Sequence, residues 1–138
     1  MKNIRQIPLF WLMLGLLVVG KQVHAQEASA YIISPANGEV VSSPVLVKFG
    51  LRGMGVAPAG VAKHNTGHHH LLIDVDTLPD LTKPVPADKN HRHFGGGQTE
   101  VSLELSPGEH TLQLLLGDEA HIPHNPAVVS EKIRVRVK

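Results

Sequence analysis

Two hydrophobic patterns divide the chain. From Ile7 to Val19 nearly every residue is apolar, with Lys2 and Arg5 ahead of the run and Val23-His24-Ala25 behind it. A cationic start, an apolar stretch and a small-residue exit are the parts of a secretory signal. A bilayer-spanning helix needs about 20 apolar residues, and this run falls short of that. Residues 1–25 are therefore expected to be a signal peptide removed after Ala25, with residues 26–138 forming the mature domain. No cysteine follows the cleavage point, which excludes lipid attachment there.

From Ala30 onward the apolar residues come in short bursts separated by Gly, Pro, Asn and Asp. No stretch keeps a helical period of about 3.6 residues for long enough to make a core helix. The bursts predict strands at about 31–33, 45–51, 69–75, 99–105, 111–116 and 131–137, with a further short one around 91–94. Short strands punctuated by turn residues are the pattern of an all-β sandwich. The expected fold is an immunoglobulin-like antiparallel β-sandwich of about seven strands.

Residues two apart on a strand share a face. Leu71, Ile73 and Val75 should point inward, as should Leu112, Leu114 and Leu116. In the last strand Ile133, Val135 and Val137 alternate with Lys132, Arg134, Arg136 and Lys138, so one face is apolar and the other a solvated cationic ladder that also discourages edge pairing. Pro35-Ala36-Asn37-Gly38 and Ser106-Pro107-Gly108-Glu109 supply the fixed φ of proline and the positive φ of Asn or Gly that tight turns require. The stretch from Asp76 to Asn90, rich in Pro, Asp and Lys, has little to bury and reads as a surface excursion.

Charge changes the picture once the leader is removed. The whole chain carries +1, but loss of Lys2, Arg5 and Lys21 leaves 10 basic against 12 acidic residues, a formal charge of −2. With no basic run left, nucleic acid and anionic membrane surfaces are excluded as electrostatic partners, and no stable membrane insertion of the mature domain is expected. The chain has no cysteine, so neither disulfides nor thiolate chemistry is available even in an oxidising compartment. The expected location is the periplasm or the medium.

The candidate chemistry lies in the histidines. Nine of the ten follow the leader, and most fall in three clusters: His68-His69-His70, His91-Arg92-His93 and His121-Ile122-Pro123-His124, with His64 just upstream. A His-x-His pair on a strand puts two rings on one face about 6–7 Å apart at the backbone, a spacing that one metal ion can close. His68 and His70 meet this condition, and His91 and His93 repeat it. His69 shares the parity of Leu71 and Ile73, which predicts a buried or rim histidine bonded to backbone. In an immunoglobulin-like sandwich the three clusters fall in or beside loops at one end. The candidate metal ligands are thus His68, His70, His91, His93, His121 and His124, with His64 as a further candidate. His110, beside the Pro107-Gly108 turn at the other end, is expected to make a turn hydrogen bond.

Neutral imidazoles suit Cu(II), Zn(II) or Ni(II), and Met54, the sole methionine after the leader, gives no basis for a methionine-rich Cu(I) site. Glu100, Asp118 and Glu119 are candidates for extra ligands or for orienting an imidazole. The Gly95-Gly96-Gly97 run is a permissive connection and not a phosphate cradle, since no lysine or helix follows it.

The strings Gly67-His68-His69-His70-Leu71-Leu72-Ile73-Asp74, His93-Phe94-Gly95-Gly96-Gly97-Gln98-Thr99-Glu100, Gly108-Glu109-His110-Thr111-Leu112-Gln113-Leu114-Leu115-Leu116-Gly117-Asp118 and His121-Ile122-Pro123-His124 resemble an exported bacterial His-rich family of domains of unknown function. The resemblance covers most of residues 30–138 and implies no activity. Three function classes follow from the residues: a carrier, buffer or sensor of a divalent metal; a metal-dependent enzyme with an open coordination position, for which no HExxH or GxSxG motif is present; and a structural or adhesive module with a hydrogen-bonded histidine rim. The first is favoured, with the metal ion as partner and an envelope protein as a candidate second one.

Overall fold

The computed structural model describes residues 27–138, so the expected signal peptide lies outside the described residues. The fold is all-β. Among the described residues nine strands follow one another: β1 (Ser29–Ser34), β2 (Glu39–Val41), β3 (Val45–Arg52), β4 (Gly55–Val56), β5 (Thr66–Ile73), β6 (His91–His93), β7 (Glu100–Leu103), β8 (Gly108–Gly117) and β9 (Ile133–Val137). No helix of the described residues is long and apolar enough to cross a membrane. The seven bursts of the sequence all become strands. The two further ones, β2 and β4, are only three and two residues long, too short to carry a periodic signal.

β1, β3 and β7 form a three-stranded antiparallel sheet. The larger sheet runs β2-β9-β8-β5-β4, with β6 added alongside β5. It is mixed and not purely antiparallel, because both short strands, β2 on β9 and β4 on β5, pair parallel to their neighbours. The last strand is therefore internal: β2 covers the edge that its cationic ladder was expected to protect. The ladder itself is solvated, with Lys132, Arg134, Arg136 and Lys138 all exposed.

One hydrophobic core joins the two sheets. Val45, Val47, Phe49 and Leu103 from the small sheet meet Leu71, Ile73, Leu112, Leu114, Leu116, Ile133, Val135 and Val137 from the large one. Alternation explains this set, since one face of each strand is apolar. Val75 departs from the pattern. The strand ends at Ile73, Asp74 takes a φ of +55°, and Val75 packs instead with Leu72, Leu81, Val85, Leu115 and Val129 on the opposite side of the large sheet. Both turns have the expected geometry, with φ of +82° at Gly38 and +130° at Gly108.

The 76–90 stretch is more than a surface excursion. Val85 is buried against Leu72 and Leu115, and its N–H donates to the His121 carbonyl at 2.9 Å. Lys132 Nζ donates to the carbonyls of Val75 and Asp76, both at 2.8 Å. The sequence signal was thin because two apolar residues, Leu81 and Val85, do the covering among many polar ones.

His110 makes the expected turn contact and one more. Its Nε2 reaches the Ser106 carbonyl at 2.9 Å and its Nδ1 reaches Asp74 Oδ2 at 2.8 Å. Both partners only accept, so the imidazolium alone satisfies both. Burial acts to lower the His110 pKa, but these two bonds overcome it and the pKa is raised. The pair then adds stability below pH ~6.5, and that contribution is lost as pH rises through the higher folded-state value. Asp74 is 42% exposed, so the loss should stay under about 1 kcal/mol. Chemical denaturation between about pH 6 and pH 9 should show this decline in the native protein and a flatter profile in His110→Ala.

Candidate metal centre

The site lies on the face of the large sheet turned away from the main core. His68 and His70 alternate with His69 on β5, so they project from this outer face while His69 faces inward. β6 lies beside β5 with His93 directly opposite His70. The fourth ring comes from the loop after β8. There Asp118 Oδ1 accepts from the N–H groups of Ala120 and Ile122, both at 2.9 Å, while the Asp118 carbonyl accepts from the His121 N–H at 3.0 Å. This tight turn holds His121 at a φ of +66° and aims its ring at β5.

His68, His70, His93 and His121 each offer a nitrogen, and these four atoms lie within 4.8 Å of one another. His68 Nε2 and His121 Nδ1 are 3.0 Å apart. Two nitrogens bound to one tetrahedral ion at the usual metal–nitrogen distance are about 3.3 Å apart, so this pair is close to ligating geometry. Both nitrogens of His70 and Nδ1 of His68 are buried without a hydrogen-bond partner. Orphaned buried nitrogens are costly unless something satisfies them, and an ion at the centre of the four rings would engage His70.

Two glycines make room for the rings. A Cβ on Gly117 would stand 2.7 Å from His70 Cε1, and one on Gly95 would stand 2.3 Å from His93 Cε1. The glycine run after β6 thus leaves space for the His93 ring as well as turning the chain.

Burial and the neighbouring imidazoles favour the neutral form of His68, His70 and His93. Burial, followed by the charges of His121 and His93, pushes the His68 pKa down to about 4, against an opposing pull from Asp118. Burial and then His68, His93 and His121 push His70 down to about 3. Burial and His121 also lower His93. Neutral imidazoles keep the lone pairs that a metal needs.

The other candidates lie elsewhere. His91 is on the same face of β6 as His93 but opposite Leu72, one pleat further from His68, and its Nδ1 donates to Asp88 Oδ1 at 2.9 Å. His124 packs its Nε2 against Gly67 and lines a cavity of about 330 Å³ together with His64, Met54 and Glu27. Asp118 acts on the turn carrying His121, whereas Glu100 and Glu119 are exposed and outside the cluster. His69 faces the core as expected, with its ring 5.3 Å from that of Phe49. The expected backbone bond is missing: burial lowers its pKa, the backbone of Gly50 and Gln98 opposes this in part, and neither closes a hydrogen bond on the ring.

Convergence also has a different origin from the one expected. His93 joins His70 by strand pairing across the sheet and not through a loop at the end of the sandwich. That lateral pairing separates the two His-x-His pairs, since it can bring only one residue of β6 level with His70.

Fold and site together define a small all-β protein with four clustered imidazoles on the outer face of its larger sheet. The chain matches the family described as "Domain of unknown function (DUF4399)" over residues 47–138, and it belongs to that family. The matched segment contains all four histidines. No curated protein and no solved structure matches the chain.

Proposed function

We propose that the protein is exported and binds one divalent transition metal ion through His68, His70, His93 and His121, serving outside the cytoplasm as a carrier, buffer or sensor. The observation that carries this reading is the convergence of four imidazoles, each offering a nitrogen within 4.8 Å of the others, with both nitrogens of His70 buried and unpartnered. The Lys2/Arg5 start, the apolar run and the Ala25 exit support export, with residues 1–25 as leader and residues 26–138 as the working domain. An envelope protein that supplies or receives the ion is the partner this role requires. We read the two-sheet sandwich as immunoglobulin-like, a reading supported by its shared core and by the β9-β8-β5 order of the larger sheet.

The test is calorimetric titration of the protein, made without a polyhistidine tag, with Zn(II), Cu(II) and Ni(II). One ion per chain should bind with sub-micromolar Kd. Free metal at about 100 times Kd should add about 2.7 kcal/mol of stability, reversed by a chelator. Binding no tighter than that of scattered surface histidines, with no chelator-sensitive stability, would overturn the proposal.

A further inference from the structure

The arrangement of the four rings says which ion fits. The six distances between ring centroids are 4.8 Å for His68–His70, 5.0 Å for His68–His93, 4.9 Å for His68–His121, 5.3 Å for His70–His93, 5.8 Å for His70–His121 and 4.5 Å for His93–His121. Four points with six nearly equal separations form a tetrahedron. A square has two diagonals about 1.4 times its sides, and none of the three opposite pairs here stands out in that way.

The size agrees as well. With a metal–nitrogen distance of about 2.0 Å and about 1.2 Å more to the ring centre, tetrahedral imidazoles have centroids about 5.2 Å apart. A square-planar set would place neighbours at about 4.5 Å and opposite rings at about 6.4 Å. The observed range of 4.5 to 5.8 Å brackets the tetrahedral value and stops short of the square diagonal.

Resting on the metal-binding reading above, we propose that this is a closed tetrahedral site that prefers Zn(II) to Ni(II). Zn(II) has a filled d shell and accepts four tetrahedral nitrogens without electronic penalty, whereas Ni(II) and Cu(II) favour square or tetragonal sets. Four protein ligands fill the coordination shell and leave no position for a reacting water, which separates a stored or carried ion from a catalytic one. Exchange occurs at the surface. His70, His93 and His121 open onto a pocket of about 150 Å³ walled by Pro84, Val85 and Ala87. His93 itself is exposed, so a ligand can swing away to admit or release the ion.

Co(II) tests the geometry, because its four-coordinate tetrahedral form absorbs visible light far more strongly than its six-coordinate form. Titration of the protein with Co(II) should give intense visible bands that saturate at one ion per chain and vanish on adding Zn(II). His93→Ala should weaken Co(II) binding and lose the tetrahedral bands; its exposed position leaves the fold intact, as circular dichroism should verify. In parallel titrations Zn(II) should bind at least about ten-fold tighter than Ni(II). Stoichiometric Co(II) with only weak six-coordinate bands, or Ni(II) binding tighter than Zn(II), would overturn the tetrahedral assignment and leave metal binding standing. Absence of any bound ion would overturn both.

Discussion

Replacing His68 and His70 together by alanine should lower Zn(II) affinity by more than about 100-fold, because removing even an outer-shell partner costs about 10–100-fold and these are two of the four proposed ligands. Both rings are fully buried and project from the outer face of β5, so no neighbouring side chain can take their place. The change should not unfold the domain. The double variant removes His70 nitrogens that have no protein partner, and their desolvation penalty offsets part of the packing lost with the rings. His91→Ala should bind metal as the native protein does, since its ring is held by Asp88 away from the cluster. Calorimetry on the two variants checks both statements. Unchanged affinity in the double variant, or an equal loss in His91→Ala, would contradict the assignment of the ligands.

The largest effect on stability is expected at the centre of the sandwich. Leu114→Ala should cost about 2–5 kcal/mol, because a fully buried leucine between two sheets leaves a cavity that a rigid pair of sheets cannot close. Leu114 is 0% exposed and packs among residues of both sheets. Leu46→Ala, on the solvent side of β3 at a residue 46% exposed, should cost less than about 0.5 kcal/mol. Urea denaturation of the two variants provides the comparison. With no cysteine in the chain there is no cross-link to mask the loss. Similar effects at the two positions would mean that the two sheets are not packed about one core.

The strands and the inward-facing leucines could be read along the chain because each depends on neighbours one or two residues away. Turn residues act just as locally, and Gly38 and Gly108 take the positive φ that their positions imply. The parallel additions β2 and β4 could not be read, since a strand of two or three residues has no period and its pairing depends on a distant partner. The role of residues 76–90 was hidden for a related reason. Leu81 and Val85 are isolated apolar residues in a largely polar and proline-rich stretch, and their burial depends on the outer face of β5 and β8 being available to receive them.

The site divides along the same line. The sequence by itself determined that His68 and His70 share a strand face opposite to His69, because parity along a strand is a covalent property of the backbone. It also determined that neutral nitrogen ligands, without thiolates, are the donors on offer. Only the tertiary structure decided which other histidines join them. His93 is chosen over His91 by the register that sets it against His70, and His121 over His124 by the approach of its ring to within 3.0 Å of His68. Register and loop closure are set by contacts between residues some twenty to fifty positions apart, so one-dimensional spacing could propose all seven candidate ligands but could not choose the four.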